Sequence, residues 1–352
     1  MILDAARVII PFVVAFGIGI AIAPLITHYL YKHKAWKKKG GKTGMGDENG
    51  TPLFNELHKE REVSTPRMGG IVVWASVFVT ALLIMLLGLF FGEPFASFDF
   101  VNRGQTWLPL FALMVGALVG LVDDILEVTR SSGGLNLRWR LLVVAAIGAF
   151  CGWWFYAKLG VSAVGLPFLG AIPLGGFFIL FFVLVTLALY AGGVIDGIDG
   201  LAGGIFAIIF MVYAGIAFAQ MQYSLAAFAA TVSGALFAFL WFNIPPARFY
   251  LSETGTMALT VALAVTAFSA DTLGEGVGVS VLPIIALPLT VTVATNLMQI
   301  ISKKAFKRKL FRIAPIHHHF EAIGWPAYKV TMRYWVITII AGVFGLAIAL
   351  LK

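Results

Sequence analysis

The sequence predicts an all-α integral membrane protein, a bundle of about ten transmembrane helices with its polar chemistry gathered at the cytoplasmic face. Three observations predict it. Of 352 residues, 60% are hydrophobic and 12% are charged, whereas a soluble domain carries about 25% charged residues. Ten apolar stretches are long enough, or nearly so, to cross about 30 Å of hydrocarbon. Lys and Arg are confined almost entirely to alternate loops.

In chain order the apolar stretches lie near 6–30, 69–92, 107–122, 139–158, 173–191, 200–219, 224–243, 255–270, 281–301 and 333–351. The first follows Asp4 and Arg7 with no small-residue cleavage site, and reads as a retained span, not a signal peptide. The third and eighth are short, so a tilt or a re-entrant bend would alter them. The whole chain, 1–352, reads as a single polytopic membrane domain, because bilayer helices share one bundle.

The loops 31–68, 123–138, 192–199, 244–254 and 302–332 fall on one side. With the boundary residues Arg140 and Arg333, that side holds 21 of the 25 Lys and Arg; Arg7, Arg103, Lys158 and Lys352 are opposite. The positive-inside rule makes the rich side cytoplasmic and leaves both termini outside. The net charge of +8 is thereby topogenic and does not point to nucleic acid. Anionic lipid head groups or a phosphorylated substrate are further partners it would suit. Cys151 is the sole cysteine, which excludes an intramolecular disulfide. Residues 39–50, with five glycines, are expected to be mobile.

Four polar clusters share the cytoplasmic side: Asp123-Asp124; Gly193-Val-Ile-Asp196-Gly197-Ile-Asp199-Gly200; the run from Trp241 through Asn243, Tyr250 and Glu253 to Thr256; and His317-His318-His319-Phe320-Glu321. Ionisable groups beside hydrocarbon are costly and mark sites. Adjacent carboxylates do not both ionise cheaply without a cation or donor nearby. Paired acids suit Mg²⁺, which takes oxygen ligands and keeps substrate phosphates in its shell. Asp196, Asp199 and Glu253 add hard ligands. The plainer reading is helix capping, by Asp199 ahead of the sixth span and by Asp124 in a short cytoplasmic helix. Neighbouring helical residues diverge by about 100°, so three successive histidines do not ligate one ion. Imidazoles that donate to phosphate oxygens fit better. Gly41-Lys42-Thr43 is not a phosphate-binding loop, because Trp36 stands where that motif needs glycine. Carboxylates for Mg²⁺, imidazoles for phosphate, Tyr250 and Asn243 together suit a nucleoside diphosphate, and the membrane supplies a lipid acceptor. Phosphoryl transfer needs mainly positioning and charge neutralisation.

These segments resemble the phospho-N-acetylmuramoyl-pentapeptide transferases, within the polyprenyl-phosphate N-acetylhexosamine-1-phosphate transferases. The resemblance runs from Ser64-Thr65-Pro66-Arg67-Met68-Gly69-Gly70 to Lys329-Val330-Thr331-Met332-Arg333-Tyr334-Trp335, and Pro315 to Glu321 is its most discriminating segment. It implies ten helices, a homodimer, Mg²⁺ and a cytoplasmic active site in a bacterial plasma membrane. The implied reaction joins UDP-N-acetylmuramoyl-pentapeptide to undecaprenyl phosphate and releases UMP. It implies catalytic roles for Asp123, Asp124, Asp196, His317, His318 and His319. Substrate contacts fall to Thr65, Asp199, Asn243 and Tyr250, and a metal-binding role to Glu253.

The chain departs from the family pattern at several places. Gly193-Val194-Ile195 stands where Asn-Leu-Thr is usual, and Ser252-Glu253-Thr254-Gly255-Thr256 where Gly-Asp-Thr-Gly-Ser is usual. Glu127 occupies the place of a lysine. Glu60 and Glu62 stand near another lost lysine, with Lys59 and Arg61 as stand-ins. Three other classes are a related transferase using another UDP-sugar, a binding-only relative that lost turnover, and a transporter. Gathering at one interface, not at the midplane, argues against transport.

Overall fold

The computed structural model describes residues 2–38, 62–101, 106–130, 133–271, 273 and 276–351. The glycine-rich stretch 39–50 and the stand-ins Lys59 and Arg61 lie outside them. The described residues form twelve α-helices: α1 (Ile2–Lys32), α2 (Gly70–Phe91), α3 (Trp107–Thr129), α4 (Leu137–Lys158), α5 (Phe177–Gly192), α6 (Leu201–Ala219), α7 (Tyr223–Asn243), α8 (Ser252–Ser269), α9 (Leu282–Ile285), α10 (Leu287–Phe306), α11 (Ile316–Ala322) and α12 (Ala327–Leu351). Helices dominate because hydrocarbon offers no partner to a backbone N–H or C=O, so each segment must satisfy its own.

Eight of the helices are long and apolar enough to cross a membrane: α1 to α7 and α12. This is an all-α integral membrane protein. The expected eighth and ninth spans are helical too, as α8 and α10, but more polar. In α8 the hydroxyls of Thr260, Thr266 and Ser269 donate to carbonyls one turn back. This lets polar residues sit in a helix that is buried along nearly its whole length. The ninth expected span is divided at Ala286, between α9 and α10. Proline at the start of each piece suits a helix N-terminus, where a backbone N–H has no partner to lose. Among the described residues one two-stranded antiparallel hairpin interrupts the helices: β1 (Ala163–Leu166) and β2 (Gly170–Pro173). The buried Asp271 carboxylate holds it to the end of α8, accepting from the N–H groups of Gly165 at 2.7 Å and Val279 at 2.9 Å.

Helix α8 packs against α3, α2 and α5, while α1 lies along α7 and α2, and α12 along α6. The α3–α8 contact is close because Gly120 faces the α8 backbone. A Cβ there would meet the Glu253 carbonyl oxygen, with its carbon at 2.6 Å and Thr254 N at 2.8 Å. Further along the bundle, Phe182 stacks on Phe268 at 4.0 Å between centroids.

Two expectations need correction. Asp123 and Asp124 are not in a loop; α3 continues through them to Thr129. Its last turn persists because the carboxylates are compensated by tertiary partners, described below. Asp199 does not cap α6: Gly200 does, in a left-handed conformation (φ 74°) with no side-chain cap bond. The Asp199 carboxylate turns to the Ala247 N–H, 3.2 Å away.

Candidate active site

The polar clusters meet at one end of the bundle. They lie at the C-terminal ends of α3, α5 and α7, the N-terminal turn of α8, the segment before α2, and α11. The segment before α2 is tied to the segment before α8 by backbone bonds: Tyr250 N–H donates to the Pro66 carbonyl at 2.8 Å, and Gly69 N–H donates to the Tyr250 carbonyl at 2.8 Å. This brings Arg67 to the acids of α3.

Asp124 is fully buried and fully engaged. Its Oδ1 accepts from Arg67 Nε at 3.1 Å and Nη2 at 3.0 Å. Its Oδ2 accepts from Ser252 Oγ at 2.6 Å, Thr254 N at 2.9 Å and Thr254 Oγ1 at 2.6 Å. Five donors on two oxygens leave this carboxylate saturated and bolt α3 to α8. Arg67 Nη2 also reaches Glu127 Oε2 at 2.8 Å, and Lys37 Nζ bridges Glu127 and Glu62, 3.2 Å from each. Burial opposes the Arg67 charge, but Asp124 and Glu127 beside it raise its pKa and hold the guanidinium protonated.

Asp123 is equally buried, yet only Oδ1 is used. It accepts from Leu135 N at 2.5 Å and faces Arg140 Nε at 3.2 Å. Its Oδ2 is buried with no hydrogen-bond partner among the described residues. A buried carboxylate oxygen without a donor is costly and is the kind of atom that a cation would satisfy. Arg140 spans onward to Glu253, Nη1 to Oε1 at 2.7 Å, and Tyr190 OH lies 3.3 Å from the other Glu253 oxygen.

These groups border a cavity of about 600 Å³. Its charged wall includes Arg67, Glu127, Arg140, Asp196 and Glu253; its apolar wall includes Leu297 and Ile300. Of the expected site residues, Asp196, Asp199, Tyr250 and Glu253 line it. Asp123 and Asp124 do not, and stand one layer behind the two arginines. Thr65 and Asn243 are not among the lining residues either. The Asn243 amide is spent internally: Oδ1 accepts from Gly200 N at 2.9 Å and Nδ2 donates to the Phe249 carbonyl at 2.8 Å. It shapes the loop behind Asp199. Asp196 Oδ2 likewise accepts from Ser252 N at 2.7 Å, the first turn of α8.

The histidines diverge, as a helix requires. His317 and His318 are buried, with ring centroids 4.3 Å apart, and they pack beneath Gly197 at the cavity wall. His318 Nδ1 lies 2.7 Å from Glu321 Oε2, and Glu321 reaches the cavity. His319 points elsewhere: its Nδ1 accepts from Arg312 N at 3.2 Å and its ring meets Phe311 edge-on.

Glu253 stands with Arg140 and Tyr190. Among the described residues, the carboxylates that gather closely enough for one ion are Asp123, Asp124 and Glu127, with ligand atoms within 4.8 Å of one another. With the buried Asp123 oxygen, these three fit a hard divalent cation, which takes carboxylate ligands. Glu127 joins them because positions 123 and 127 are one helical turn apart. Its place in the sequence signalled only a lost lysine. Arg67, Arg140 and Tyr190 escaped the sequence reading; the arginines had passed as topogenic charge, and only their partners reveal them.

A family model, glycosyl transferase family 4, matches residues 106–271, which span α3 through α8. A Geobacillus sp. (strain WCH70) phospho-N-acetylmuramoyl-pentapeptide-transferase is 32% identical over 82% of this chain and 85% of its own length. The Latilactobacillus sakei protein of the same name is 32% identical over 96% of this chain and 97% of its own. The Enterococcus faecalis one is 31% identical over the same shares. Similarity that runs end to end through every helix bordering the cavity makes this chain a member of the phospho-N-acetylmuramoyl-pentapeptide transferase family.

Proposed function

We propose that this protein transfers phospho-N-acetylmuramoyl-pentapeptide from its UDP-linked donor to undecaprenyl phosphate, releasing UMP and forming the first lipid intermediate of peptidoglycan. The observation that carries the reading is the three-carboxylate group of α3, with a buried oxygen awaiting a partner, beside a cavity walled by charge on one side and by Leu297 and Ile300 on the other. A bound Mg²⁺ would neutralise diphosphate oxygens. Asp123, Asp124 and Glu127 would hold it. Asp196, Asp199 and Tyr250 would meet the nucleotide, and Glu253 would hold Arg140 toward its phosphates. His318 would orient Glu321 at the wall. The apolar wall would take the first part of the lipid. In this reading the protein works as a homodimer in a bacterial plasma membrane, with the cavity facing the cytoplasm.

The test is UMP release by the purified protein from UDP-N-acetylmuramoyl-pentapeptide, with and without undecaprenyl phosphate and Mg²⁺. Release that needs both is the expected result, and UDP-N-acetylglucosamine should not compete. No UMP under any condition would leave a binding-only protein.

The histidines should separate in the same assay. His318→Ala is expected to lose most activity, because the Glu321 contact and the support under Gly197 both go. His319→Ala is expected to stay near the parental rate. Equal, mild losses at all three positions would mean that the segment only packs.

Orientation is tested by labelling. Lys38 and Lys307 are exposed at the site end, and the native Cys151 is buried. Cysteine placed at either position should react in intact cells only with a permeant reagent. Labelling by an impermeant one would invert the topology.

A further inference from the structure

Between the cavity and the Asp123–Asp124 pair stands Arg67. Its side chain is 15% exposed, and its Nη2 lies 3.0 Å from Asp124 Oδ1 and 2.8 Å from Glu127 Oε2. It therefore bonds two of the three carboxylates that could ligate one ion. A guanidinium forks between carboxylates as a compact cation bridges them, but it spreads one charge over a plane and fills no coordination shell. It leaves one oxygen of the third member unsatisfied: Asp123 Oδ1 meets Leu135 N and Arg140 Nε, but Oδ2 is buried and, among the described residues, without a donor. One oxygen of the group is starved while Arg67 holds the other two carboxylates.

We propose that Arg67 occupies the place of the divalent cation, bridging Asp124 and Glu127, and that ion and arginine compete for these two carboxylates. Two cations within about 4 Å repel even when screened, so loading the ion turns the guanidinium away from Glu127. Arg67 borders the cavity, and the space open to its displaced head is that cavity. Asp124 does not collapse when this happens, because Ser252 and Thr254 still donate to its other oxygen. Lys37 still pairs with Glu127, so one cation remains beside that carboxylate. Arg67 thus changes partner, from carboxylate without the ion to a ligand anion with it. The role of that anion as the donor's diphosphate rests on the transferase reading; the competition itself does not.

The experiment measures Mn²⁺ binding to the full-length protein in detergent, with no donor or lipid phosphate present, from the electron paramagnetic resonance signal of free Mn²⁺. Arg67→Met removes the competitor and should bind Mn²⁺ on the order of tenfold more tightly, the worth of one screened charge repulsion. Glu127→Gln removes a ligand and should bind about tenfold or more weakly. Unchanged or weaker binding by Arg67→Met overturns the proposal, as does unchanged binding by Glu127→Gln or no binding by the parent. If Arg67→Met is not monodisperse, Arg67→Lys carries the test. Lysine bridges two carboxylates poorly, so affinity should rise, and an unchanged value refutes competition. Competition that holds while the parent releases no UMP would sink the transferase reading and leave this one standing.

Discussion

Asp123→Asn is expected to reduce UMP release by about 10²-fold or more while the protein still folds. The substitution removes charge but keeps volume. Oδ1 keeps its Leu135 N–H partner and, as an amide oxygen, still accepts from Arg140, which retains the Glu253 carboxylate as counter-charge; the atom that changes most is Oδ2, which has no partner among the described residues. Folding therefore loses little, whereas a bound ion loses a ligand. Asp124→Asn should behave differently although it is the adjacent residue. Its two oxygens accept from Arg67, Ser252 and Thr254, and an amide NH₂ cannot accept from any of them. Breaking one member of a buried charged pair costs about 3–5 kcal/mol, so Asp124→Asn should lower thermal stability as well as turnover. Thermal melting of both variants beside the UMP assay separates the roles. If Asp123→Asn keeps a near-normal rate, the pair is structural. If both variants melt alike, the division of labour between the two acids is wrong.

Gly120→Val should abolish turnover and sharply lower the yield of folded protein. The α3 backbone touches α8 at this glycine, where even a Cβ would collide with the Glu253 carbonyl and sit 2.8 Å from Thr254 N. The two further heavy atoms of valine have nowhere to go, since the residues around Thr254 are buried and packed interiors do not yield at low cost. The helices must separate, and the separation falls one turn from the Asp124 bonds to Ser252 and Thr254. Overpacking alone costs about 1–3 kcal/mol, and the loss of those bonds adds to it. Gly120→Ala is the milder probe and should show the same direction. Melting temperature and size-exclusion profile check the stability loss, and UMP release checks the site. A valine variant that melts like the parent would mean that α3 and α8 are not held as described.

The spans and the clustering of acids and histidines at one end were legible because they depend on one-dimensional properties: apolar length and Lys/Arg asymmetry between loops. The end of α3 was not. Asp123, Asp124 and Glu127 look like the close of a span because charge next to hydrocarbon is costly, and nothing local says that Arg67, 57 residues from Asp124, will pay for it. Asn243 shows a role that sequence could not supply. An amide beside a polar run suggested a ligand contact, and the fold shows it also ties Gly200 to Phe249, with one bond at each end of the amide.

By itself the sequence determined that this chain folds as membrane helices, that its acids and histidines gather at one end of them, and the family to which its motifs belong. These follow from hydropathy, charge and residue order, all of which survive projection onto a line. Which carboxylate is saturated and which oxygen is left waiting was decided only by tertiary structure. So was the pairing of Arg67 with Glu127 and of Arg140 with Glu253. Coulomb and hydrogen-bond energies fall off within a few ångströms, and those distances exist only once α2, α3, α4 and α8 have been brought together.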